Sequence, residues 1–113
     1  MPLTAPPVPE LRVHLLVQDL QRQFAAYLGT PTRARGYPPM EGEHALIVEV
    51  APALFTALAA NEAERAAPGV TLVDVSMIGV AGRIYLSGPA GPVTVARDAI
   101  IAVLDQVEGR EQP

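Results

Sequence analysis

The spacing of hydrophobic and polar positions predicts four strands and three helices. Short apolar runs and alternation are typical of strands, whereas apolar residues three and four positions apart are typical of helices. The elements follow the order strand, helix, strand, helix, strand, strand and helix. The predicted strands cover residues 11–17, 44–50, 70–75 and 83–86. This order favours an α+β domain whose helices pack on one side of a mainly antiparallel sheet.

Capping and turn residues set the predicted helix ends. Asp19 is a candidate N-cap for the first helix, and Gly29 is placed to end it. Pro52 suits the first turn of the second helix, and Pro68 with Gly69 breaks that helix. The helical positions expected to be buried are Leu20, Phe24, Ala25 and Leu28, then Leu54, Phe55, Leu58 and Ala59, and finally Val93, Ala96, Ile100, Leu104 and Val107.

Proline content and polarity divide the chain into three parts. Residues 1–10 contain four prolines, which exclude an ordinary helix or a central strand and predict an extended arm. Residues 11–107 carry the periodic apolar positions and predict one compact domain, and residues 108–113 form a polar tail. Residues 30–42 are rich in Pro and Gly and predict a loop.

Charge and composition exclude several classes of protein. The chain has no Cys, so disulfides and thiolate chemistry are excluded. A net charge of −4 argues against general binding to nucleic acid, whose phosphates select clustered positive charge. No apolar run approaches the roughly 20 residues that span a bilayer, and the N-terminus lacks the basic and apolar regions of a secretion signal. These features predict a cytoplasmic protein with no membrane partner.

The residues that could carry out chemistry are few and show no recognisable spacing. His14 and His44 lie in apolar strands without a metal-ligand pattern, so we expect no metal site. Glu41, Glu43 and Glu49 have no partner in the sequence that would make them a general acid or base. No nucleophile elbow, dinucleotide fingerprint or P-loop is present. The sequence therefore predicts no catalytic residues, no cofactor and no enzyme activity.

The turn between the last two predicted strands is unusually apolar. The stretch SMIGVAGRIYLSG has no Asp, Asn or charged residue where a solvated hairpin turn would normally carry one. An apolar turn is expected where it packs against copies of the same chain around a symmetry axis.

Three segments resemble the core of bacterial microcompartment shell proteins. Residues 59–70 resemble the family's helix end A-A-D-x-x-x-K-A-A-x-V, residues 77–82 its pore loop K-I-G-S-G, and residues 87–93 its Gly-containing turn. In ordinary hexameric shell proteins a strand of the type V-x-V-H-V-I-P-R-P lies at the C-terminus. Its counterpart here, residues 12–18, comes first. This order is similar to that of the circularly permuted shell proteins of propanediol and ethanolamine microcompartments.

The resemblance implies a ferredoxin-like BMC domain, circularly permuted, that forms cyclic hexamers in the facets of a microcompartment shell. The expected partners are identical copies, other shell proteins and encapsulated enzymes, and the central pore should be narrow and apolar or closed. The residues expected to line the pore are Met77, Ile78, Gly79, Val80, Ala81 and Gly82. Contacts at the hexamer edge are expected from Asn61, Arg65, His14 and Gln18. At two of these positions the family carries an acidic residue and a lysine, where this chain has Asn61 and Arg65.

Two other interpretations remain open at the level of sequence. A small-molecule-binding regulatory domain of ferredoxin-like fold could use residues 88–92, or the loop with Arg33 and Arg35, as ligand contacts. Residues 77–82 could also be a plain hairpin that packs only on its own core. The mass of the assembly discriminates a shell hexamer from a dimeric regulatory domain.

Overall fold

A computed structural model describes residues 9–29 and 39–106. The proline-rich segment 1–8, the loop with Arg33 and Arg35, Val107 and the polar tail lie outside the described residues. The elements confirm the predicted α+β order. They are β1 (Glu10–Val17), α1 (Arg22–Leu28), β2 (His44–Ala51), α2 (Phe55–Ala66), β3 (Thr71–Ile78), β4 (Ala81–Gly88) and α3 (Ala90–Asp105).

The four strands form one sheet in the order β1-β2-β4-β3, and every neighbouring pair is antiparallel. β4 lies between β2 and β3, so β2 and β3 run in the same direction and α2 makes the crossover between them. β1 and β3 are the two edge strands of this sheet. The predicted mainly antiparallel sheet is therefore confirmed.

The helices cover both faces of the sheet, so the prediction that they pack on one side only was wrong for α1. Successive residues of a strand point to opposite faces, so Leu46 and Val48 face one side of β2 while Ala45 and Ile47 face the other. α2 and α3 pack together over the first face and enclose the main core. α1 lies on the second face, where Ala25 and Leu28 pack with Leu20, Ala45 and Val73 in a smaller cluster.

The start of α1 differs from the prediction. Asp19 does not cap the helix, because it adopts a left-handed conformation with φ of 55° before the helix begins. Gln21 occupies the N-cap position and makes no side-chain cap hydrogen bond within the described part of the chain. Gly29 is the C-cap residue, as predicted. Phe24, expected to be buried, is 40% exposed because α1 buries only a narrow stripe.

The start of α2 is also later than predicted. Pro52 belongs to a turn before the helix, which begins only at Phe55. The helix therefore buries Phe55 and Ala59 as expected, whereas Leu54 and Leu58 are 61% and 38% exposed. The apolar periodicity correctly predicted a helix here, but two of the four residues that it predicted to be buried, Leu54 and Leu58, are exposed. In α3 the buried positions Val93, Ala96, Ile100 and Leu104 are those predicted.

Helix α2 and strand β4 approach each other closely at Gly82. A Cβ atom added to Gly82 would overlap Oγ1 of Thr56 and would lie 2.9 Å from Thr56 Cβ. Thr56 is completely buried, and its Oγ1 has no hydrogen-bond partner among the described residues. Only glycine at position 82 allows the strand to lie this close to α2.

We expect Thr56→Val to stabilise the domain by about 1 kcal/mol, because a methyl group replaces a buried hydroxyl that lacks a partner. Valine and threonine have the same shape and similar helix propensity, so the packing against Gly82 is kept. Urea denaturation of both proteins measures the difference. A loss of stability would show that the hydroxyl has a partner that compensates for its burial.

Candidate subunit-contact site

The β3–β4 hairpin ends in a two-residue turn. β3 continues to Ile78 and β4 starts at Ala81, so both strands are longer than predicted and the turn contains only Gly79 and Val80. Gly79 has φ of 61°, a left-handed conformation that glycine adopts without a steric penalty. The six residues of the predicted pore loop are thus mostly strand, and only their middle pair forms the turn.

The hairpin tip is fixed to the segment that leads into α2. The backbone N–H of Ala53 donates to the carbonyl oxygen of Val80 at 2.8 Å. Two residues beyond the turn, Gly82 lies against Thr56 of α2. These two contacts hold the turn in one position relative to the helix.

Three apolar side chains are exposed at this place, and we call them the tip patch: Leu54, Met77 and Val80. They are 61%, 58% and 69% exposed, which makes them the most exposed large non-aromatic hydrophobic residues of the described chain. The Ala53–Val80 hydrogen bond brings Val80 next to Leu54. Met77 pairs with Gly82 and so lies on the α2 side of the sheet. Exposed apolar side chains grouped in this way are typical of an interaction site.

The other predicted pore residues lie in the same hairpin with different exposure. Ala81 and Gly82 are buried at the start of β4. Ile78 pairs with Ala81 at the end of the two strands. Among the loop residues whose burial is described, Met77, Gly79 and Val80 are the exposed ones.

The four predicted edge residues occupy two separate places. Asn61 and Arg65 lie on the exposed side of α2, and Arg65 forms an ion pair with Glu62 at 2.6 Å. His14 is exposed on edge strand β1, and Gln18 follows the end of that strand. α2 packs over β2, β3 and β4, and α3 packs over β1, β2 and β4. The two pairs therefore lie on different elements, one on the exposed side of α2 and the other at β1.

An ion pair on the sheet surface was not predicted. Glu49 on β2 accepts a hydrogen bond from Nε of Arg83 on β4 at 2.8 Å. Hydrogen bonds with the Glu49 carboxylate and the Tyr85 hydroxyl raise the pKa of Arg83 above its usual value. Arg83 therefore stays charged at any working pH. The pairing of β2 with β4 places Glu49 opposite Arg83. Because the two residues are far apart in the sequence, no local pattern predicts this ion pair.

An exposed aromatic pair on α1 was also missed. The rings of Phe24 and Tyr27 stack with centroids 6.3 Å apart and an interplanar angle of 13°. Tyr27 is 72% exposed. The i, i+3 spacing of two aromatic residues on a short helix was the signal that could have identified the pair.

The described residues contain no cluster of three or more His, Asp or Glu side chains that could hold a metal ion. Across the same part of the chain, no helix is both long and apolar enough to cross a membrane.

Comparison with protein families decides the type of protein. Residues 11–110 match the family model of the CsoS1D N-terminal domain. The chain belongs to this family of microcompartment shell proteins. Its resemblance to shell proteins, found from the helix end, the hairpin and the strand order, is therefore confirmed.

Relatives of this shell domain agree with the family. The carboxysome shell protein CcmP of Synechococcus elongatus is 42% identical over 79 residues, which are 70% of this chain and 37% of CcmP. The carboxysome shell protein CsoS1D of Hydrogenovibrio crunogenus is 37% identical over 95 residues, or 84% of this chain and 45% of that protein. The shell domain thus spans less than half the length of these two relatives.

Solved structures confirm the fold and the permutation. The double ringed trimeric shell protein MSM0271 of the RMM microcompartment has a TM-score of 0.82 and 45% identity, covering 94% of this chain and 51% of that one. The fused permuted hexameric shell protein MSM0275 of the same microcompartment has a TM-score of 0.75 and 38% identity, covering 89% and 51%. The relatives are shell proteins and not enzymes, and they do not favour the small-molecule regulatory domain.

Proposed function

We propose that six domains of this kind surround one axis and form a ring-shaped tile of a microcompartment shell, with their hairpin tips toward the axis. The observation that carries this proposal is the tip patch of Leu54, Met77 and Val80, which faces solvent in an isolated domain. A neighbouring copy around the axis would cover apolar surface at the tip. In a closed ring every domain has such a neighbour, so no domain is left with its apolar surface uncovered.

The architecture of the relatives supports the number of domains. A trimer of chains about twice as long as this one, as in MSM0271, has room for six domains of this size around one axis. For a chain with one domain the equivalent assembly is a homo-hexamer. Because MSM0271 is described as double ringed, a second ring stacked on the first is part of the proposal.

The central opening would be lined by the turn, with Ile78, Gly79 and Val80 closest to the axis. None of these three side chains carries a charge or a hydrogen-bond donor. An opening of this composition is narrow and apolar, or closed, and it gives no electrostatic preference to charged metabolites. Ala81 and Gly82 form the wall behind the turn.

The rims of neighbouring rings would meet through the two edge pairs. Asn61 with Arg65 lies on α2 and His14 with Gln18 lies at β1, so the contact between rings need not join identical surfaces. An arginine at this edge can donate to backbone carbonyls of the adjacent tile. Other shell proteins and encapsulated enzymes are the further partners of a shell in which such tiles assemble.

We expect Arg65→Ala to leave the ring intact and to reduce its growth into flat sheets, because the rim loses its principal donor. Arg65→Lys keeps a cation at this position and should retain most of the sheet formation. Arg97→Ala on α3 is the matched control for the loss of one arginine. Electron microscopy counts the sheets, and light scattering confirms the ring. Normal sheets from Arg65→Ala would place the tile edge elsewhere.

The test of the proposed function is the absolute mass of the purified protein by light scattering, with negative-stain images of the same sample. Particles of six domains, or of twelve for two stacked rings, with six-fold images support the shell tile. A stable monomer or dimer at high concentration would contradict it. In that case a saturable calorimetric signal with a metabolite would favour the regulatory domain.

A further inference from the structure

The hairpin tip carries one of the two exposed methionines of the described residues. Met77 is 58% exposed and Met40 is 56% exposed. The chain has no cysteine, so the methionine thioethers are its main targets for oxidation by peroxides. In a single domain both side chains are open to solvent to the same degree. The two sites therefore differ in where they lie and not in how exposed they are.

Met77 lies where we propose that a neighbouring copy packs. It belongs to the tip patch together with Leu54 and Val80. Its partner across the hairpin is Gly82, which has no side chain that could cover it. Met77 is a flexible apolar residue of the kind that adapts its shape to a partner surface. A contact made by the tip patch therefore involves its thioether directly.

Met40 lies at the opposite end of the sheet. Its backbone N–H donates to Oε1 of Glu43 at 3.0 Å, just before β2 starts at His44. His44 pairs with Gly88, the last residue of β4, whereas the hairpin turn precedes the first residue of β4. The chain therefore provides an internal control, because two methionines are equally exposed and only one is at the proposed axis.

Oxidation changes the tip patch from apolar to polar. A sulfoxide carries an oxygen that accepts hydrogen bonds, and the side chains of Leu54 and Val80 offer no donor. The backbone N–H of Ala53 is already bonded to the carbonyl oxygen of Val80 at 2.8 Å. Burying an acceptor without a donor weakens a contact by about tenfold or more. The contacts around a ring are identical, so the loss recurs at each of them.

We propose that Met77 is an oxidation site that controls ring assembly. A peroxide transfers one oxygen atom to the thioether sulfur of a free domain. Its O–O bond breaks, the sulfur is oxidised by two electrons to the sulfoxide, and the peroxide is reduced to water or an alcohol. The oxidised tip does not pack against a copy, and methionine sulfoxide reductases restore it. This inference rests on the ring proposed above and adds a means of regulating its assembly.

The test oxidises the full chain with hydrogen peroxide in urea, removes both reagents and measures the refolded assembly by native mass spectrometry. Untreated protein taken through the same steps should form rings, and oxidation should lower the ring fraction by about tenfold or more. Oxidised Met77→Leu should form rings normally, whereas oxidised Met40→Leu should not. Both variants keep Met1, so oxidation of Met1 does not explain a difference between them. Treatment with sulfoxide reductases should restore the rings.

A second variant makes the test independent of peroxide. In Met77→Gln the side chain keeps a similar length and gains an amide oxygen, so the ring should be lost without oxidation. Met40→Gln is the matched control and should keep the ring. Urea denaturation of the oxidised natural chain should give a midpoint close to that of the untreated chain, because Met77 is largely exposed. An unfolded oxidised domain would contradict a specific effect on assembly.

The possible outcomes separate this inference from the ring on which it rests. Rings formed by the oxidised natural chain, or by Met77→Gln, would contradict the role of Met77 and leave the proposed function intact. Loss of rings in oxidised Met77→Leu would assign the effect to another methionine and overturn the inference. A monomeric untreated protein would contradict the ring itself, and with it the control by oxidation.

Discussion

Val80→Asp is expected to weaken or open the ring, because one carboxylate per domain would converge at the six-fold axis. Val80 is 69% exposed at the turn, so the change should not disturb the core of a single domain. Repulsion between adjacent carboxylates is on the order of 1 kcal/mol per pair in water and larger where water is excluded. Light scattering at low salt should show loss of the hexamer, and added salt should partly restore it.

Two matched variants separate charge from other effects of this change. In Val80→Asn the new side chain is as large and about as polar as aspartate but carries no charge. Val95→Asp adds one carboxylate on the exposed side of α3, away from the turn. Both should keep the ring. Where the ring of Val80→Asp survives, permeability of assembled shells to small anions should fall. An assembly and a permeability that are both indifferent to the added charges would show that the turn is not at the axis.

Gly82→Ala is expected to destabilise the domain by about 3 kcal/mol, the upper part of the range for overpacked cores. The added Cβ would overlap Oγ1 of Thr56 and lie 2.9 Å from its Cβ, and both residues are buried in regular structure. The strand must move away from α2, which also strains the hydrogen bond between Ala53 and Val80. Thermal unfolding should show a fall in Tm of roughly 10–20 °C for a domain of this size.

The double variant Gly82→Ala/Thr56→Ala tests the cause of that loss. Alanine at position 56 removes Oγ1 and Cγ2 but keeps Cβ, so the recovery should be partial and the two changes non-additive. Gly91→Ala is the matched control, since a Cβ there meets nothing within 4 Å. It should leave stability unchanged or raise it slightly. Equal effects of Gly82→Ala with and without Thr56 would locate the clash elsewhere.

The elements with strong periodicity could be predicted from the sequence. α3 has four apolar residues in helical register, and the structure buries all four. The strands were found as well, because their apolar runs are bounded by Gly and Pro. The strand ends next to the hairpin turn were predicted wrongly. Met77, Ile78 and Ala81 were assigned to a loop, yet they continue the pairing of β3 with β4. Pairing with a neighbouring strand, which the local sequence does not encode, extends the strands to the turn.

The missed features depend on contacts between distant parts of the chain. The Glu49–Arg83 pair requires the register of β2 on β4, and residues 34 positions apart give no local signal. Exposure of Leu54 depends on where α2 begins, and the turn at Pro52 delays that start. The close approach of Gly82 to Thr56 could not be predicted from the sequence, because neither the glycine in the strand nor the threonine in the helix breaks its local pattern. Local pattern thus predicts the elements, while their mutual packing decides which side chains are available for contacts.

The position of β1 at the edge of the sheet has a consequence for protein engineering. In the described structure β1 hydrogen-bonds along one side only, to β2, with Leu16 opposite Leu46 and His14 opposite Val48. A strand in that position can be supplied from either end of a chain, so circular permutation at β1 need not change the order of the strands in the sheet. It can also be supplied by a separate molecule. A chain without residues 9–29 should be a receptor that completes its fold only when a synthetic peptide of that sequence is added.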